Sequence, residues 1–428
     1  MSGPLRSSDL TRVHTLSNGV RVVCDPMPGL ETLALSVVAG RGARSEDEAR
    51  SGWSHLLEHM VFKGAGTRTS RQIVEVIEAE GGQINAATGY ERTSFQIRAL
   101  AGGLDLGSAV LSDLILRPHI DPADLQREKQ VVGQEIAEAA DTPDDIVFEM
   151  AQAAAFEGQP LGRSILGTDD SIAPATPDTL SDWRQRLYAP DQLVFAAAGA
   201  VNEDEVLALA ERDFGPALGP GTEVAAPAAF TGGERIEAKR LEQANLVFLL
   251  PAVGVKHPDY FALRIFAEIL GGGMASRLFQ EAREKRGLAY AVDAYAETYD
   301  DTGVLGIFAG CAAGDAAELA RVAAGEVQGL AQRVEPGELA RARAQLKASM
   351  FMARESPLAR AEQAAGQVLL FGELLDTASL GARIDAVQEA DLVRLGKQLL
   401  APGICAVSAL GPKAAGKAAD AFRRGLFG

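Results

Sequence analysis

The sequence predicts an α+β protein of two similar domains, and three observations carry that prediction. Its 428 residues are more than one hydrophobic core supports. Near the midpoint, Gly215-Pro-Ala-Leu-Gly-Pro-Gly-Thr222 opens an Ala- and Pro-rich stretch that is the best linker in the chain. On either side the same order of strand, helix, helix, glycine and strand recurs. Domains are therefore placed at 1–218 and 233–428, with a linker at 219–232.

The elements follow in order. Val13 to Asp25 holds a Ser17-Asn18-Gly19 turn followed by Val20, Val22 and Val23, which reads as a hairpin. Thr32 to Ala39 is a strand, Gly52 to Phe62 a helix, and Arg71 to Ala79 a second helix ended by Gly81-Gly82. Gln83 to Leu100 reads as one extended strand, and Leu104 to Leu116 and Asp121 to Ala140 as helices. In the second half a strand is expected at Ala244 to Leu250, helices at Tyr260 to Leu270 and Ser276 to Lys285, and a strand at Ala289 to Ala296. The helix–glycine junctions also correspond: Glu-Ala-Glu-Gly-Gly-Gln-Ile-Asn at 78–85 parallels Glu-Lys-Arg-Gly-Leu-Ala-Tyr at 284–290.

Composition excludes several classes of function. Apolar residues make up 47% and charged residues 23%, the balance of an ordinary globular protein. No apolar run approaches bilayer length, and the first residues lack the features of a secretory or transit peptide, so a cytoplasmic location is expected. The net charge of −17 argues against nucleic acid and anionic membranes as partners. Cys24, Cys311 and Cys405 are scattered and suggest neither disulfides nor a thiolate site.

The chemistry is concentrated in His55-Leu56-Leu57-Glu58-His59. Two histidines four apart lie on one helix face, close enough for both imidazoles to bind one metal ion. Glu58, three after His55, can aim its carboxylate at a metal-bound water. The order H-x-x-E-H is the inverse of the commoner H-E-x-x-H and marks inverzincin peptidases. Only His14, His119 and His257 remain as further histidines. The second half keeps the repeated order but has no such motif in its first helix, as expected of a duplication that kept its metal site in one copy.

Gly-Trp-Ser-His-Leu-Leu-Glu-His-Met-Val-Phe-Lys-Gly at 52–64 resembles the active-site helix of the M16 (pitrilysin-type) zinc metallopeptidases. Within them it is similar to the short M16B subgroup that contains mitochondrial processing peptidase. The resemblance implies two homologous domains, each a mainly antiparallel sheet packed with helices, of the processing-peptidase/LuxS-like metallohydrolase type. It implies one Zn2+ per chain, held by His55, His59 and a glutamate about 75 residues downstream. Glu135 stands 76 positions after His59, and Glu128, one heptad earlier, corresponds to the glutamate that orients a ligating histidine through its free ring nitrogen. Asn85-Ala-Ala-Thr-Gly-Tyr-Glu-Arg-Thr-Ser-Phe95 looks like the family's edge strand beside the zinc, where Asn85 and Ala86 would hold the scissile region. Ser276 to Tyr290 resembles the family's arginine–tyrosine element, with Arg283 and Tyr290 binding substrate backbone and oxyanion. Trp53, Ser54 and Ala65 depart from the usual residues without removing a ligand or the base.

Together these imply a zinc endopeptidase in which Glu58 acts as base toward a zinc-bound water, cleaving peptides or unfolded segments inside a chamber. With only two of the four domains of full-length relatives, the chain is expected to form a homodimer, or to pair with a homologous second subunit. Arg283 and Tyr290 of one copy would then complete the site of the other. Acidic Asp141, Asp144, Asp145 and Glu149 suggest some preference for basic substrates. The alternative is a non-catalytic structural or assembly subunit of the same fold, like the respiratory-complex core proteins. A purely structural zinc site is disfavoured, since such sites are closed by four protein ligands.

Overall fold

The computed structural model describes residues 10–217, 219 and 225–428. The first half of the chain runs β1 (Arg12–Thr15), β2 (Arg21–Pro26), β3 (Thr32–Ala39), α1 (Trp53–Val61), β4 (Gly64–Ala65), β5 (Arg68–Thr69) and α2 (Ser70–Ala79). Then come β6 (Gln83–Thr88), β7 (Thr93–Leu100), α3 (Leu104–Leu116), α4 (Pro122–Asp141) and α5 (Pro143–Ala155). It closes with α6 (Asp169–Ile172), α7 (Pro177–Leu187), β8 (Leu193–Gly199) and α8 (Glu203–Phe214). The second half begins with β9 (Gly233–Ala238), β10 (Ala244–Ala252), α9 (Tyr260–Gly271), a π-helical segment Phe279–Lys285, β11 (Ala289–Thr298) and β12 (Gly303–Cys311). It ends with α10 (Ala316–Gln332), α11 (Glu338–Ala353), α12 (Pro357–Phe371), α13 (Thr377–Ala386), α14 (Glu389–Leu400), β13 (Ala406–Gly411) and α15 (Lys417–Phe427).

The repeat read in the sequence is a repeat of topology. The first sheet has strand order β1-β2-β8-β3-β7-β6 and the second β11-β12-β10-β13-β9. Read from its β6 edge, the first sheet matches the second strand for strand from β11 through β9. Each holds one parallel pair, β2 with β8 and β9 with β13, and is otherwise antiparallel. The fold class is α+β, as expected.

Two segments do not stay with their half of the chain. One compact unit comprises the described residues of 1–136, 164–225 and 350–377; the other comprises those of 137–163, 226–349 and 378–428. The linker expected at 219–232 is thus one of several crossings, another falling within α4; its residues 220–224, and position 218, lie outside the described residues.

In the first unit, α12 covers one face of the sheet. Ala361, Ala364, Ala365 and Val368 pack on Val23, Val38, Val194, Ala196 and Ala198, while the other helices bury the opposite face. Both faces of β3 and β8 are therefore covered, which is why these strands read as continuous apolar runs instead of alternating. The Arg360 guanidinium donates from Nε and Nη2 to the two Asp25 oxygens at 2.5 Å each, tying α12 to β2. In the second unit α5 plays the same part against β9, β10 and β13, with Ser408 Oγ donating to the Val147 carbonyl at 2.7 Å.

Most predicted elements stand where the sequence placed them, with two corrections. The extended stretch Gln83 to Leu100 is a hairpin, β6 and β7, turned at Gly89-Tyr90-Glu91-Arg92; the Gly89 amide donates to the Arg92 carbonyl at 2.8 Å. The helix expected at Ser276 to Lys285 is π-helical over Phe279–Lys285, a wide turn in which the Arg283 guanidinium lies 4.8 Å over the Phe279 ring. Among the described residues no helix is long and apolar enough to cross a membrane.

Candidate metal centre

The centre is built on α1. Leu56, Leu57, Met60 and Val61 are wholly buried in the first unit's core, so the opposite stripe, His55, Glu58 and His59, is forced toward the site. Where α1 begins, Gly52 has φ +88°, and a Cβ there would lie 2.4 Å from the Leu166 carbonyl oxygen. The buried Glu46 carboxylate accepts from the amides of Gly52 (2.8 Å) and Ser54 (2.7 Å), satisfying two helix-end donors with a negative charge. Trp53 and Ser54, unusual by family pattern, have a structural reason here. The Trp53 indole donates to the Ser171 carbonyl at 2.8 Å, and the Trp183 indole donates to Ser54 Oγ at 3.3 Å. The first turn of α1 is thereby fastened to α6 and α7.

Helix α4 supplies the carboxylates. Asp121 caps it, accepting from the Ala123 amide at 2.8 Å, and Lys129 Nζ anchors it to the Ala173 and Ala175 carbonyls. One heptad separates Glu128 from Glu135, so both face α1. Glu135 Oε2 lies 3.7 Å from His55 Nε2 and 3.5 Å from His59 Nε2. His55, His59 and Glu135 offer one ligand atom each, all within 4.8 Å of one another. Ligands about 2.05 Å from a tetrahedral zinc stand roughly 3.3 Å apart, so the donor set fits such an ion. On the far side of His59, Glu128 Oε2 lies 3.1 Å from Nδ1.

The electrostatics agree with ligation. Burial, with the neighbouring His59 second, holds the His55 imidazole down to about 4, so it is neutral at physiological pH, the ligating form. Burial pushes the Glu58 carboxyl above its ordinary value, while Thr88 and His59 pull the other way. Glu58 Oε2 and Glu135 Oε2 are buried without a hydrogen-bond partner, an arrangement that costs free energy unless a cation or a water satisfies them.

Of the other predicted site residues, Asn85 and Ala86 lie on β6, the free edge of the first sheet. Thr88, at the end of that strand, stands near Glu58, its own side-chain oxygen buried without a hydrogen-bond partner. Arg283 and Tyr290 belong to the second unit: Arg283 is exposed on the π-helical segment, and Tyr290 is 59% exposed at the start of edge strand β11. Asp144 and Asp145 occupy the first turn of α5, where negative charge suits a helix N-terminus. Three residues were missed from sequence: Glu46, Thr88 and Lys63. Lys63 follows the end of α1 by two residues, so helical spacing gave no signal for it.

Residues 21–169 match the family model described as insulinase (peptidase family M16), and 174–346 the model described as peptidase M16 inactive domain. An uncharacterized zinc protease of Rickettsia bellii (strain RML369-C) is 33% identical over 393 residues, 90% of this chain and 94% of its own. The chain belongs to the M16 peptidase family. The short M16B branch is indicated by an Arabidopsis thaliana protein named "probable mitochondrial-processing peptidase subunit beta". It is 32% identical over 421 residues, covering 95% of this chain and 79% of that one. The M16 fold is also that of a solved protease from Helicobacter pylori, with TM-score 0.86 at 21% identity over 94% of this chain and 99% of the other.

Proposed function

We propose that this M16 member is a zinc-dependent endopeptidase acting on peptides or unfolded segments in the cytoplasm, with one zinc per chain. The observation that supports it most is the convergence of His55, His59 and Glu135 on one point, beside an unpartnered Glu58 oxygen. Zinc held by these three residues would supply a Lewis acid that activates water and polarises the scissile carbonyl.

The chain's own groups do the rest. An extended substrate adds to the open edge of β6 as a further strand, held by backbone hydrogen bonds around Asn85 and Ala86. Glu58 takes a proton from the attacking water on its carboxylate and hands it to the leaving amine. Glu128 accepts from His59 Nδ1 and orients the ring. Arg283 and Tyr290 are assigned to the substrate backbone and the developing oxyanion. They are contributed by a second copy of the chain in a homodimer whose chamber excludes folded proteins.

The test is cleavage of a mixed pool of unstructured basic and neutral peptides by zinc-loaded protein and by its Glu58→Gln variant, with products read by mass spectrometry. Cuts made by the wild type alone are expected. A zinc-loaded wild type that cuts nothing, or a variant that cuts equally well, refutes the reading.

A further inference from the structure

We propose that Lys63 is a positioning residue for the metal centre: its ammonium pins the Glu128 carboxylate against His59 and so fixes which ring nitrogen of His59 faces Glu135. Lys63 Nζ lies 2.7 Å from Glu128 Oε1, while Glu128 Oε2 lies 3.1 Å from His59 Nδ1. The two oxygens of one carboxylate, only 5% exposed, are thus divided between two residues four apart at the end of α1. With both oxygens held, the carboxylate cannot pivot. It presents a fixed partner to Nδ1, which keeps Nε2 turned toward Glu135. Without the ammonium, one contact holds the carboxylate, and the His59 ring loses the constraint that sets its facing.

This inference rests on the proposed reading of the centre, but its readouts need no peptide cleavage. Titration of Zn2+ against a competing chelator gives affinity. With five histidines in the chain, ring nitrogen-15 labelling of the Zn2+-loaded protein then shows which nitrogen of His59 carries the metal. The wild type is expected to bind through Nε2. Lys63→Met should weaken Zn2+ binding roughly ten-fold and loosen that choice of nitrogen, and Lys63→Arg should restore both. The Lys63 side chain is 32% exposed, so methionine is accommodated; Lys63→Gln gives the same readout should that variant aggregate. A folded variant lacking the charge that keeps the wild-type Zn2+ affinity overturns the assignment. A wild type whose Zn2+ affinity depends on Lys63 but which cuts no peptide would instead sink the peptidase reading and leave the role of Lys63 standing.

Discussion

Replacing Arg360 with methionine should release α12 from the first sheet. Asp25 is 2% exposed and Arg360 4%, and the fork between them is joined by Thr11 Oγ1, which donates to Asp25 Oδ1 at 2.7 Å. Removing the guanidinium leaves a buried carboxylate with the Thr11 hydroxyl and the charge of nearby Arg354 in place of two charge-assisted bonds, a loss of about 3–4 kcal/mol. The apolar contact of α12 is modest, because its fully packed side chains are Ala361, Ala364, Ala365 and Val368, with Leu369 only partly buried beside them. At 1.4 kcal/mol per factor of ten, opening of the helix should rise by roughly 10²- to 10³-fold. Hydrogen exchange of the amides in 357–371, read by mass spectrometry, measures this locally, without requiring the two units to unfold together. The Asp25→Asn/Arg360→Met double variant should recover much of the loss, since no charge is then stranded. Protection within about 1 kcal/mol of wild type in Arg360→Met, or a double variant as open as the single, would refute the argument.

Three other outcomes are expected. Gly52→Ala forces an alanine to φ +88° with its Cβ against the Leu166 carbonyl; it should cost about 2 kcal/mol or more in urea denaturation and lower Zn2+ affinity by tilting α1. Chelation should abolish peptide cleavage and Zn2+ should restore it, with the far-ultraviolet circular dichroism unchanged, because α1 is held by the buried Leu56, Leu57 and Met60; loss of helical signal on chelation would mark a structural ion. Mixing Glu58→Gln chains with Tyr290→Phe chains should recover up to about a quarter of wild-type activity by forming mixed dimers with one intact site, and no recovery counts against sharing of the site between copies.

The pairing of His55 with His59 was legible because helical spacing is rigid: a step of four puts both on one face whatever the surroundings. Glu128 and Glu135 were found only through the family resemblance, since their step of seven gives them a shared face but no local pattern ties α4 to α1. Helix α3 and strand β3 were read to the residue for a related reason, since both are long, apolar and bounded by turn residues. The hairpin of β6 and β7 was not, because Gly89-Tyr90-Glu91-Arg92 sits inside a polar stretch that continues the extended pattern. Glu46 escaped notice because its role depends on a loop bringing a carboxylate back onto a helix end six to eight residues later, which no periodicity records. The placement of α5 and α12 was illegible for a similar reason: an apolar helix stripe shows that a helix is covered, but not by which sheet.

That placement bears on how the chain must be made. While only the first 217 residues have left the ribosome, the sheet containing β3 and β8 has one bare apolar face, and it stays bare until residues 357–371 are synthesised. Severing the chain in its glycine- and proline-rich middle would accordingly yield not two independent domains but two sticky fragments. Each would carry one helix the other needs, and they would become soluble only when expressed together.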